Sequence, residues 1–246
     1  MQLFHISIGG GITGVETIIS TINRIEKIIR SKKKINKKII FGIVDKNPEN
    51  IPGGVAYGFK KSLYGYFNNP LRLSPVKFTN WVLKKNNKIK LINYLKAYGG
   101  YTGAEWIKKN EKEFFSKGKN QQKEIYIPRA LMNYWMEEKL IFLLKKIKKK
   151  KTPFLIKFFK GEVTKLIKQK KFYKIKFKNN KYEELNYKIL KTKSKKLIFE
   201  KNKKLKGMLN SKNINVGLGL PPPKQIATPN ARKNNNYIWD FYDKGS

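Results

Sequence analysis

The chain leaves its first apolar run, Leu3-Phe4-His5-Ile6-Ser7-Ile8, directly into the glycine-rich turn Gly9-Gly10-Gly11-Ile12-Thr13-Gly14. A short apolar run bounded by glycines suits a buried parallel strand better than a two-sided amphipathic one. A helix should follow at once, because Val15, Ile18, Ile19, Ile22, Ile25 and Ile29 recur at three- and four-residue steps and mark one apolar face. That helix is expected to end near the Lys32 to Lys34 run, and a second strand, Ile39 to Val44, to stop at Asp45. The order strand, turn, helix, strand is a βαβ unit with a parallel crossover.

Such a turn serves a pyrophosphate for three physical reasons. Gly9 permits the tight turn, Gly11 lets the backbone approach the phosphates, and Gly14 lets the helix pack closely on the strand. Unpaired N–H groups and the dipole at the helix start attract the anion, with Gly10 and Thr13 in the same turn. An acid closing the second strand, here Asp45, would accept a hydrogen bond from a ribose hydroxyl; the other reading is that it caps a turn. Asp45 lies 31 residues beyond Gly14, against a usual offset of about 20. The Lys-rich stretch must therefore extend the helix or its exit loop.

With 246 residues, the chain is long enough for one sizeable α/β domain carrying a smaller insertion. It has no cysteine and a single histidine, His5, so thiolate metal sites and a cysteine nucleophile are excluded and no metal site is expected. His5 lies within an apolar strand and is read as a core residue, not a catalytic one. No basic leader precedes the first apolar run and no later run approaches the length of a membrane span, so a soluble cytoplasmic protein is the expectation.

The formal charge of +40 raises the question of nucleic acid. Its make-up, however, is 51 Lys against 5 Arg, together with 29 Ile and 24 Asn. Proteins built to recognise phosphates usually exploit the bidentate fork of Arg. Lys, Ile and Asn together are what a very A+T-rich coding sequence writes. Nonspecific polyanion binding at low salt is expected, but no specific nucleic-acid partner.

Further along, residues 47–74 are rich in Gly, Pro and Asn and read as an ordered loop region. Helical patterns cover about 80–96, 104–117 and 129–150. Short β-like runs fill 154–199, with a hairpin turn expected at Asn179-Asn180. Residues 200–213 read as a polar loop and 214–219 as a strand ending in glycines.

Several segments then point in one direction. After Asp45 come Pro52-Gly53-Gly54-Val55-Ala56-Tyr57-Gly58, Asn68-Asn69-Pro70-Leu71-Arg72-Leu73-Ser74 leading to Trp81, Ile127-Pro128-Arg129-Ala130-Leu131-Met132-Asn133-Tyr134, and Val216-Gly217-Leu218-Gly219-Leu220-Pro221-Pro222. In this order, with the glycine motif, the chain resembles the FAD/NAD(P)-binding oxidoreductase family that includes FAD-dependent urate hydroxylase-like proteins. That family is distantly related to flavin N-hydroxylating monooxygenases.

The resemblance implies an α/β fold: a Rossmann-like FAD-binding domain with a parallel sheet, inserted helices and a small antiparallel sheet. It would be a single domain over 1–246, with a helical insertion at about 79–150 and a β region at about 154–199. It also implies noncovalent FAD, NAD(P)H as reductant, and monooxygenase-like chemistry on a small molecule. Asn69, Arg72 and Arg129 would lie near the cofactor, and Gly217 and Gly219 would allow backbone approach to the flavin.

One departure is Gly217-Leu218-Gly219-Leu220 where the family carries Ala-Thr-Gly-His, which removes two polar side chains. Family members also continue into a region completing the nicotinamide side, so the chain is expected to be an FAD-binding oxidoreductase or the FAD-binding part of one. The rival readings are a basic nucleic-acid-binding protein and a catalytically degenerate dinucleotide-binding protein. For single residues the structural alternatives are a helix-start Arg129, a plain turn at Asn68-Asn69-Pro70, and core packing for Trp81 and Trp135.

Overall fold

The computed structural model describes residues 2–30, 38–54, 66–67, 69–116, 124–149, 152–190 and 196–216. Strand β1, Gln2–Ile8, and strand β2, Ile39–Asp45, pair in parallel with His5 opposite Phe41 and Ile8 opposite Val44. Helix α1, Ile12–Arg30, makes the crossover. Its periodic apolar face is the buried one: Val15, Ile18, Ile19 and Ile22 pack with Phe41 and Ile43 of β2. The expected βαβ unit is therefore present.

The chain next forms two short 3-10 turns, Pro48–Asn50 and Leu71–Leu73, and a group of helices. These are α2 (Val76–Val82), α3 (Lys85–Tyr98), α4 (Gly100–Phe115) and α5 (Ala130–Lys149). They enclose a core of Phe78, Trp81, Leu91, Leu95, Trp106, Phe114 and Leu131, with Leu71, Ile125 and Ile127 from the flanking loops. Helix α5 turns its other face, including Met136, Leu140 and Leu144, to α1 and the sheet.

Four strands follow: β3 (Phe154–Lys160), β4 (Val163–Lys168), β5 (Tyr173–Leu190) and β6 (Lys196–Val216). The sheet order is β3-β2-β1-β6-β5-β4, and β3 also pairs with β5. Strands β3, β2, β1 and β6 are parallel neighbours, whereas β5 runs antiparallel to both β6 and β3. The pairing of Phe158, Phe159 and Lys160 with Leu185, Glu184 and Glu183 closes five strands into a barrel.

This corrects the expected Rossmann-like fold with its separate small antiparallel sheet. The strands of the C-terminal region join the N-terminal parallel strands in one mixed, closed sheet. A cluster of Leu3, Ile6, Val44, Phe159, Ile175, Phe177, Tyr182 and Leu209 draws on all five barrel strands and on no helix, as a barrel interior requires.

Two local expectations also change. Asn179 and Asn180 do have left-handed backbone, each at φ 53°. They form a bulge within β5, not a hairpin reversal, with residues 177–180 facing only Gly207 between the pairs Lys176–Met208 and Lys181–Lys206. At this bulge β5 exchanges one neighbour for another: Phe177 pairs with β4 and Glu183 with β3. Residues 200–213, read as a polar loop, are strand. Their exposed lysines hide any apolar alternation, and the ladders to β5 and β1 hold them.

Among the described residues no helix is long and apolar enough to cross a membrane, and no group of metal-ligating side chains occurs.

Candidate functional site

Strand β1 ends beside β2, so the turn that follows it meets the end of β2 as well. Gly9 has φ +96°, a left-handed conformation that glycine adopts without steric cost. Its N–H donates to Val44 O at 2.8 Å. Gly10 N then donates to Asp45 Oδ2 at 2.7 Å, and Asn47 N to Asp45 Oδ1 at 2.8 Å. The carboxylate thus fastens the turn to the end of β2 and starts the next loop. A carboxylate has about four acceptor sites, so the two amides leave it able to accept from a hydroxyl.

Helix α1 begins immediately after the turn. Its first hydrogen bond from the turn is Val15 N to Gly11 O, at 3.0 Å. The amides of Ile12, Thr13 and Gly14 have no acceptor among the described residues. Thr13 is exposed, Gly11 and Ile12 are half-buried, and no acidic residue occupies the first helical turn. Three amides without an acceptor among the described residues, at the positive end of a 19-residue helix, form a place where an anion is favoured. The donors therefore fit the diphosphate of a dinucleotide.

The space around the turn separates the roles of its glycines. A Cβ on Gly14 would lie 2.3 Å from Gly9 O and from Ser7 Oγ, and one on Gly10 2.3 Å from Ile51 Cγ1. Both positions are closed by packing. On Gly11 the nearest atom would be Gly54 Cα at 3.7 Å, an ordinary contact. The loop 51–54 forms a second wall, with Ile51 buried under Gly10 and Gly54 facing Gly11. Nothing in the sequence marks this contact of Ile51 and Gly54 with the turn.

The structure thus brings Gly9, Gly10, Gly11, Thr13, Gly14 and Asp45 together. The other expected site residues lie with the helical region. Asn69 is exposed, and Arg72 Nε meets Glu124 Oε1 at 2.6 Å on the surface. Arg129, just before α5, donates from Nε to Tyr66 O at 2.9 Å, which ties the ends of two loops together. Gly217 and Gly219 lie outside the described residues, as do Val55 to Gly58 and Asn68. Trp81 is buried against Phe78 and donates to Glu138 at 2.8 Å, while with Trp135 it walls a cleft of about 360 Å³ between α1, α2 and α5.

Two residues beneath the turn escaped the sequence reading. Ser7 is fully buried and donates to Gly9 O at 3.0 Å, and Asn215 of β6 donates to Ser7 Oγ at 3.0 Å. His5, read as a core residue, is buried but polar in its contacts, with Nε2 at 2.8 Å from Asn215 Oδ1. Burial lowers its pKa below the ordinary histidine value, and the bond to Asn215 partly opposes that shift. Comparison with family models, curated proteins and solved structures returned no match.

Proposed function

We propose that the chain binds a dinucleotide at the Gly9–Gly14 turn, with FAD as the cofactor, and that it acts as a flavin-dependent oxidoreductase. The observation that carries the reading is the junction of turn and acid: Asp45 holds Gly10, while the amides of Ile12 to Gly14 have no acceptor among the described residues. Phosphates would accept from those amides, and Asp45 would accept from the adenosine ribose. FAD, rather than another dinucleotide, is supported by the ordered segments from Pro52 to Pro222 that resemble the flavin family. Bound flavin would supply the redox chemistry, with NAD(P)H as electron donor and a small molecule as substrate.

The absorption spectrum of the purified chain and a fluorescence titration with FAD, with ADP and NAD as competitors, test this reading. Gly11→Ala has room in the fold but places a methyl group at the phosphate face, so FAD affinity should fall at least about tenfold with unchanged stability. Gly14→Ala should instead destabilise the protein, by about 2 kcal/mol, through overpacking. A colourless protein that binds neither FAD nor ADP would sink the proposal.

A further inference from the structure

His5 and Ser7 stand two residues apart on β1 and so face the same side of the strand. Asn215 lies directly opposite Ser7 in the parallel β1–β6 register. The three side chains form one line of hydrogen bonds that ends on the glycine turn.

The line has a direction. The Asn215 amide turns Nδ2 toward Ser7 and Oδ1 toward His5, so His5 Nε2 is the donor to it. The Ser7 hydroxyl accepts from Asn215 and spends its only proton on Gly9 O. Every donor therefore points toward the turn.

The consequence for the turn is specific. Val44 O holds the Gly9 N–H, Ser7 holds the Gly9 carbonyl, and Asp45 holds the Gly10 N–H. A Gly9 carbonyl without a partner would be a dipole free to swing its negative end toward the phosphates. Fixed by Ser7, the backbone at Gly9 sets the direction in which the next amides leave the turn. Ser7 Oγ also lies close under Gly14, so the same hydroxyl seats the start of α1.

We propose that Ser7 and Asn215 are positioning residues of the diphosphate site, with His5 fixing the orientation of the Asn215 amide. The inference rests on the reading of the Gly9–Gly14 turn as that site. It couples the C-terminal end of β6 to the N-terminal turn through one hydroxyl. Neither residue would touch the cofactor; both would act through the Gly9 carbonyl.

The test is a double-mutant cycle on the full chain, read by FAD and ADP affinity and by amide hydrogen exchange of residues 9–14 without ligand. Ser7→Ala removes the donor to Gly9. Asn215→Asp keeps the shape but replaces the donor with an acceptor, so the Ser7 proton turns to the new carboxylate and releases Gly9. Each variant should lose about tenfold in affinity and exchange faster in the turn, and the double variant should be no worse than either alone.

An Asn215→Asp loss that persists undiminished in the Ser7→Ala background would be the effect of added charge alone and would overturn the proposal. Wild-type affinity and exchange in Ser7→Ala, with Gly11→Ala still deficient, would overturn the positioning role while leaving the site reading intact. A wild-type chain that binds neither FAD nor ADP removes both together.

Discussion

The unit from β1 to β2 and the strands β4 to β6 belong to one sheet but are held by different means. In the first, apolar side chains do the work: Val15, Ile18 and Ile22 of α1 lie on Phe41 and Ile43, and both strands are buried on their faces. In the second, Lys165 stands opposite Lys176 and Lys181 opposite Lys206, pairings that like charge makes unfavourable. Of the ion pairs there, Lys178–Glu162 and Lys188–Glu200 are exposed and worth little, while Lys157–Glu184, where β3 meets β5, is half-buried. What holds those strands is the backbone ladder, interrupted at the β5 bulge, together with an inward row of Ile175, Phe177, Tyr182 and Leu209 and with Leu185 and Leu197, which join the core of α1 and α5. The site-bearing unit is specified by its side-chain pattern. The closing strands are specified by a few large buried residues, some inside the barrel and some against the helices.

That contrast is most exposed at Phe177, which is fully buried and stacks on Tyr182 with ring centroids 4.5 Å apart. Phe177→Ala should cost about 4 kcal/mol, the range for an aromatic lost from a core. Urea unfolding in a Trp239→Phe background, followed by far-UV circular dichroism and by tryptophan fluorescence, checks it, because the remaining Trp81, Trp106 and Trp135 all lie in helices. Both transitions should move together, since β1 and β2 belong to the barrel that Phe177 fills. A tryptophan transition that stays in place would break the picture of one cooperative sheet and leave two independent units.

The same contrast governs how much could be read in advance. The βαβ unit was legible because α1 has a clean 3.6-residue apolar period and β1 and β2 are apolar runs. The three helices ending at Tyr98, Phe115 and Lys149 were legible to within a few residues for the same reason, but the expected helix at 80–96 ran across the break at Leu83-Lys84, and the short α2 was not read as a helix of its own. The barrel was not. Closure depends on three residue pairs between β3 and β5, and nothing in either strand marks its partner.

Strand β6 was missed over 200–213 because Lys-rich positions face solvent and its neighbours supply the hydrogen bonds. Asn179-Asn180 carried a true signal for left-handed backbone. That conformation serves a bulge as well as a turn, and only the pairing partners distinguish the two. At the site, the glycines and Asp45 were legible as residue types with a known chemical use. Ser7 and Asn215 were not, because 208 residues separate two side chains that only the β1–β6 register joins.

Gly207 offers a smaller probe of the closing strands. It has φ +104° opposite the β5 bulge, and a Cβ there would meet nothing within 4 Å. Gly207→Ala should therefore cost about 1 kcal/mol through backbone strain alone, with no packing contribution. An unchanged urea midpoint would mean that β6 does not bend at the point where β5 exchanges β4 for β3.

The smallest expected effect belongs to His5, where β1 meets β6. Its folded pKa lies below the ordinary value of about 6.5, with burial as the leading cause. The unfolded chain therefore takes up a proton at higher pH than the native one does. The stability that comes from keeping the imidazole neutral is complete above about pH 6.5 and is lost as pH falls through the folded pKa. His5 is the chain's only histidine, so stability measured by urea titration between about pH 7 and 5, compared with a variant at that position, reads this group. His5→Gln keeps a donor that can reach Asn215 and cannot gain a proton, so its stability should decline less over that window than that of the wild type. An equal decline in both would mean that His5 is not held neutral beside Asn215, and that the line of donors from β6 to the turn does not start there.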